Sequence, residues 1–254
     1  MPVQLGGAVV LVTGGSSGIG EACARAIAAR GAKVLVAGRD AAATGKAARA
    51  VGGHPLVADL ASADGVAGLG EAALAVHNRV DLLVASAGIG AAGPFAQIAP
   101  EKIAELVRVN LVAPMLLTRA LLPGMLERGR GQVVLIGSIA GSTGVADEVA
   151  YSATKAGLGV FAESLRLECA GTGVGVSLVV PGVVRTGFFE RRGVPYGRRR
   201  PRLVTPERIA TAVVRAIDRD RAETIIPSWL SLAPRARGLS PSGYRFLARR
   251  FGNN

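Results

Sequence analysis

Tyr151 and Lys155 stand four residues apart in an Ala-rich stretch, so on a helix their side chains leave one face about one turn apart. A phenol ordinarily ionises near pH 10, too high for a base at neutrality, and an adjacent ammonium lowers that value by favouring the phenolate. A tyrosine tuned in this way can exchange a proton with a carbonyl or alcohol oxygen. Ser138 closes an apolar run 13 residues earlier and adds a hydroxyl able to hydrogen-bond such an oxygen. Each piece alone is common on solvated helices, so the set carries weight only in company.

A second constellation opens the chain. The apolar run at 8–12 leads into Thr13-Gly14-Gly15-Ser16-Ser17-Gly18-Ile19-Gly20 and then a helical stretch. Strand, glycine turn and helix together make a phosphate cradle: glycines let the backbone approach a pyrophosphate, and the helix N-terminus offers free N–H groups and positive dipole. The spacing is G-x3-G-x-G, so the dinucleotide fingerprint G-x-G-x-x-G is not met as written. Gly14 to Gly18 also satisfies G-x-S-x-G, the nucleophile elbow of hydrolases, which requires an acid and then a histidine later in the chain. The only histidines, His54 and His77, come early and read as surface residues. Nothing after residue 77 can serve as the base, so a hydrolase is excluded.

These residues need elements to hold them. Apolar, β-rich runs at 8–12, 33–37, 55–58, 81–85, 132–136, 174–180 and 223–227 predict buried strands. Helical stretches at 18–30, 40–50, 64–77, 100–127, 152–170 and 205–219 alternate with them, which predicts an α/β fold with a parallel sheet covered on both faces. The pattern is one domain over 1–230, followed by a basic tail at 231–254. Residues 185–205 break the rhythm with seven arginines, two prolines and three glycines, and read as a substrate flap. The tail has no acidic residue and ends in YRFLARRF; it reads as an exposed terminal helix, with a short amphipathic helix docking on the body, a partner or a membrane surface as the alternative.

Composition narrows the function. Half of the 254 residues are hydrophobic and 19% are charged, which excludes a disordered chain. Cys23 and Cys169 cannot build a disulfide framework and read as small core residues; no metal-ligand spacing occurs. The longest apolar stretch, 111–126, is 16 residues with Arg119 inside it, short of a bilayer span, and a cytoplasmic protein is expected. Thirty basic against 18 acidic residues give a net charge of +12, yet only ten aromatics are available for base stacking, so no nucleic-acid partner is expected.

Taken in order, the motifs resemble those of the short-chain dehydrogenase/reductase family in its branch of ordinary length, from about residue 7 to 227. They are TGGSSGIG at 13–20, Asp59-Leu60, Ser86-Ala87-Gly88, Asn110, Ser138, YSATK at 151–155, and Pro181-Gly182-Val183-Val184-Arg185-Thr186. The resemblance implies a Rossmann-like doubly wound sheet of about seven strands that binds a nicotinamide dinucleotide at the carboxyl ends of its strands. It implies Tyr151 as proton donor or acceptor, Lys155 lowering the Tyr151 pKa and holding the nicotinamide ribose, and Ser138 holding the substrate oxygen. Asn110 would position a proton-relaying water. The cofactor would lie against Gly14, Ser16, Ser17, Gly18, Ile19, Gly20, Arg39, Asp59, Leu60, Ser86, Ala87, Gly88, Tyr151, Lys155, Pro181, Gly182, Val184 and Thr186. A homodimer or homotetramer through 100–127 and 152–170 is likewise implied.

Two details come from the residues themselves. Pro114 follows Asn110 by four positions and has no N–H to give the Asn110 carbonyl, which predicts a water on that carbonyl. The second strand ends Ala37-Gly38-Arg39-Asp40: glycine stands where an NAD-selective site places a carboxylate, and Arg39 can pair with a 2′-phosphate, while Asp40 caps the next helix. NADP(H) is expected, with NAD(H) as the alternative. The chain departs from the family pattern at Ala85-Ser86, where two asparagines are usual, and in its arginine-loaded flap. There Phe188, Phe189, Val194 and Tyr196 suit an apolar carbonyl or secondary alcohol substrate, with Arg191, Arg192 and Arg198–Arg200 solvated. A 3-oxoacyl thioester is the alternative substrate, drawn by those arginines. A catalytically idle dinucleotide-binding regulator and a basic interaction protein are the alternatives in function.

Overall fold

The computed structural model describes residues 3–196 and 202–251. Seven parallel strands form one sheet in the order β3-β2-β1-β4-β5-β6-β7, with β1 Val9–Thr13, β2 Lys33–Gly38, β3 His54–Val57, β4 Leu82–Ala85, β5 Gly131–Ile136, β6 Val174–Pro181 and β7 Glu223–Ile226. The strand order reverses between β1 and β4, and the crevice at the carboxyl ends there is where such sheets hold ligands.

Alternation along each strand explains the two covered faces. Val10 and Val12 point into one core with Cys23 and Ile27 of α1 (Gly18–Ala28) and Ile209, Val213 and Ile217 of α9 (Pro206–Asp218). Val9 and Leu11 point into the other, with Leu69 of α3 (Ala63–His77), Leu117 and Leu121 of α5 (Ala113–Glu127) and Leu158 of α7 (Val149–Glu168). Each fully buried Leu or Ile stabilises the fold by about 1.5–3 kcal/mol relative to exposure, so the sheet needs both layers. Cys23 and Cys169 are buried as expected, and His54 and His77 are exposed.

One expected element is divided. The stretch 100–127 is helical throughout, but α4 (Pro100–Val107) passes through a π turn at Arg108–Val112 before α5 begins. Ala113 N donates to Arg108 O, five residues back. Pro114 has no N–H for the ordinary ladder, so the chain widens one turn beside it. The whole 28-residue run is long and apolar enough, by length and composition, to cross a membrane, which the 16-residue apolar stretch alone did not suggest. In the fold it packs against α3, α7 and β5.

Short helices missed by periodicity complete the molecule: α2 (Ala41–Ala50) was expected, but α6 (Ile139–Thr143), α8 (Phe188–Arg191) and α10 (Leu232–Leu239) are too brief to show a period. The final helix, α11 (Pro241–Phe251), follows α10 directly.

Candidate active site

A cleft of about 760 Å³ opens at the carboxyl ends of β1, β4, β5 and β6. Its floor is the first turn of α1. Gly14 and Gly18 take φ of 65° and 56°, a region that favours glycine, and a side-chain carbon on Gly20 would fall 2.2 Å from the Gly14 carbonyl oxygen. Ser17 begins α1 without a side-chain cap, whereas Asp40, Ser62 and Thr205 cap α2, α3 and α9 through their side chains. The first N–H groups of α1 therefore face the cleft with no side-chain acceptor, the arrangement that suits a phosphate. A pyrophosphate-bearing dinucleotide fits this donor set.

The β1 and β4 turns are tied together. Thr13 Oγ1 accepts from Ser86 N and Ala87 N, both at 3.2 Å, and Gly14 lies so close that a side-chain carbon there would meet Ala87 Cα at 2.8 Å. The Ser86 departure from the family pattern thus leaves the backbone of this turn anchored. Gly14, Ser17, Gly18, Ile19, Gly20, Ser86, Ala87, Gly88, Pro181, Gly182, Val184 and Thr186 all line the cleft. Ser16, Arg39, Asp59 and Leu60 lie outside its lining, toward the ends of β2 and β3. Arg39 is exposed, and Asp40 accepts from Ala43 N at 2.8 Å as the expected cap.

Ser138, Tyr151 and Lys155 meet on the opposite wall. Ser138 starts α6, its Oγ accepting from Ala140 N at 3.2 Å, and its hydroxyl is hydrogen-bonded to the Tyr151 phenol. Tyr151 and Lys155 project from the buried stripe of α7 that continues through Leu158, Ala162 and Leu165. The packing that buries this stripe is what holds the pair in place. Lys155 Nζ donates to Ile136 O at 2.8 Å. Behind it, Asn110 Oδ1 accepts from Ile89 N, while Nδ2 donates to Ile89 O and Thr154 Oγ1.

The expected tuning of the phenol is not what this geometry produces. Burial pushes the Tyr151 phenol up to about 12, Ser138 pulls it back through the hydrogen bond, Glu148 raises it further and Arg192 offsets that. Lys155 contributes no resolved lowering; burial brings its own ammonium down to about 8, and it is directed at a strand carbonyl. The cation acting on the phenol is Arg192, which the sequence reading placed in solvent. Its side chain is 7% exposed, paired with Glu148, and lies 4.6 Å from the centre of the Phe189 ring. Phe188 of the flap covers Tyr151 with ring centroids 5.5 Å apart. Phe189, Val194 and Tyr196 also line the cleft, as does Arg191, while Arg198–Arg200 lie outside the described residues.

Sequence reasoning did not single out Glu148, nor Leu230, Ala233 and Tyr244, which line the cleft from the C-terminal segment. Glu148 sits three residues before Tyr151, which is the one signal that could have drawn attention to it.

Comparison with known proteins agrees with this geometry. Residues 8–194 match the short chain dehydrogenase family. The chain belongs to that family. It is 39% identical over 231 residues to the ketoacyl reductase HetN of Nostoc sp., covering 87% of this chain and 79% of that protein. A short-chain dehydrogenase from Sphingobium yanoikuyae in complex with NADPH superposes with a TM-score of 0.82 at 30% identity, covering 92% of this chain and 95% of that one. One from Burkholderia phymatum in complex with NAD superposes at 0.85 and 25% identity, covering 94% and 95%. This short-chain dehydrogenase is accordingly an NAD(P)-dependent oxidoreductase acting between CH–OH and C=O. Among the described residues, no group of His, Cys, Asp and Glu could hold a metal ion.

Proposed function

We propose that the chain transfers hydride between NADP(H) and an apolar ketone or secondary alcohol, with Tyr151 as the general acid/base. The observation that carries this reading is the meeting of Ser138, Tyr151 and Lys155 on one wall of a cleft whose floor is an uncapped helix N-terminus. The bound nicotinamide supplies or accepts the hydride at the substrate carbon. Ser138 and Tyr151 hold the substrate oxygen between their hydroxyls, where negative charge develops during reduction. At neutral pH a phenol pushed up to about 12 keeps its proton, so Tyr151 is ready to donate it. Lys155 holds the nicotinamide ribose hydroxyls and refills the phenol. Since the Asn110 side chain is engaged with Ile89 and Thr154, Asn110 acts through its main-chain carbonyl, to which Pro114 offers no N–H. A water on that carbonyl is the expected relay.

The NADP(H) preference rests on the end of β2. A side-chain carbon on Gly38 would meet Thr44 Oγ1 at 2.5 Å and Ser16 Oγ at 2.9 Å, so no carboxylate fits there without displacing them. Arg39 follows and is exposed, free to meet a 2′-phosphate. Asp59, Leu60 and Ser16 flank the same end. Turnover of NADPH and NADH against a panel of apolar and anionic ketones tests the reading, and Arg39→Glu should reverse the preference; absence of turnover, or an unchanged preference in the variant, opposes it.

The identity to a ketoacyl reductase favours a second substrate, a 3-oxoacyl thioester. The two separate by salt: capture of an anionic thioester weakens as ionic strength rises, and reduction of a neutral ketone does not. A cytoplasmic homodimer or homotetramer fits the partly exposed Val112, Met115 and Leu116 on the π turn and α5 and Val160 and Leu167 on α7, and light scattering tests it.

A further inference from the structure

We infer that α10 and α11 form a docking face for an anionic lipid bilayer beside the cleft. Two sides of these helices are distinguished by what they touch. On the inner side, Ala233 and Tyr244 line the cleft and Arg237 Nη1 donates to Ser142 O at 2.8 Å. On the outer side, Leu232 and Leu239 lie seven residues apart on one face of α10, 63% and 89% exposed. Phe246, two positions past the inward Tyr244, is 65% exposed, and Trp229 just before α10 is 55% exposed.

Single exposed apolar side chains are ordinary, but four large ones within residues 229–246 suit an interaction surface. Their setting says for what partner. Residues 224–254 contain five arginines and no acidic residue, and Arg235 and Arg245 are exposed beside the apolar face. The lone tryptophan and three further aromatics of a chain with only ten fall in the last 26 residues. Apolar anchors, a tryptophan and arginines without acids are the composition of a helix lying in the headgroup region. A second copy of the face would repel the first, since both carry only positive charge. Nucleic acid would leave Leu232, Leu239 and Phe246 without a role, because a phosphate backbone offers nothing apolar. The face adjoins Leu230, Ala233 and Tyr244, so docking brings the cleft to the lipid surface.

The test is partition of the full chain onto phosphatidylcholine vesicles with and without phosphatidylglycerol, read by sedimentation and by Trp229 fluorescence. Binding to the anionic vesicles with a blue-shifted Trp229, weakening as salt rises, is expected. Leu239→Asp with Phe246→Asp should weaken partition at least about tenfold while turnover of a water-soluble ketone stays unchanged. No binding to anionic vesicles, equal binding to zwitterionic ones, or full binding by the variant overturns the inference. So does a Trp229 response to poly-glutamate alone, which would assign the face to an acidic protein.

Discussion

Replacing Lys155 with methionine separates stability from catalysis. The ammonium is brought down from 10.5 to about 8 by burial, so between those values the folded chain holds fewer protons than the unfolded chain. Stability therefore rises with pH across that window, and below pH 8 the native state carries a buried charge that opposes folding. At pH 7 a shift of 2.5 units corresponds to roughly 3 kcal/mol against the wild type, and by pH 9.5 only about 1.4 kcal/mol of it remains. Methionine removes this cost but also the bond to the Ile136 carbonyl, a loss of about 1–3 kcal/mol that is the same at both pH values. The absolute stability difference at one pH is thus ambiguous, while its change with pH is not. Urea unfolding of both proteins at pH 7 and 9.5 should show the advantage of Lys155→Met falling by about 2 kcal/mol, with oxidoreductase turnover lost throughout. A difference that does not change with pH would refute the burial argument, and retained turnover would remove Lys155 from the chemistry.

Other perturbations follow from the same contacts. Gly20→Ala places a carbon 2.2 Å from a backbone oxygen and should abolish dinucleotide binding by calorimetry, whereas Gly68→Ala on α3, with open space around it, should bind normally and be stabilised by about 1 kcal/mol. Glu148 raises the phenol pKa and Arg192 lowers it, so Glu148→Gln should move the pH profile of alcohol oxidation to lower pH and Arg192→Met to higher pH. Shifts in the same direction would show that neither side chain acts on the phenol by charge. Glu148→Gln should also lose on the order of 3 kcal/mol in urea unfolding, because Arg192, 7% exposed, is left without its carboxylate; Arg192→Met should lose less, because Glu148 is 18% exposed and reaches water.

How much of this the sequence carried depends on the range of the interactions involved. The central strands were legible because they are apolar on both faces and bounded by turn residues, and the glycine turn because Gly14, Gly18 and Gly20 answer a local geometric demand. Tyr151 and Lys155 were legible because a helix converts a spacing of four into one face. Their electrostatics were not. The environment of the phenol is set by Glu148, just ahead of α7, and by Phe188 and Arg192, which reach it through the fold of a flap whose period is too short to read. Arginine runs are ordinarily solvated, and Arg192 is the exception because Glu148 and the Phe189 ring receive it. The π turn at Arg108–Val112 was half visible: Pro114 announced a missing N–H, but not how the helix would accommodate it.

The most direct test of the whole account is Tyr151→Phe, assayed for hydride transfer alongside nucleotide affinity. A fall in kcat of about 100- to 10,000-fold with dinucleotide affinity nearly unchanged is expected, since only the proton-carrying oxygen is removed. Undiminished turnover by the phenylalanine variant would contradict it.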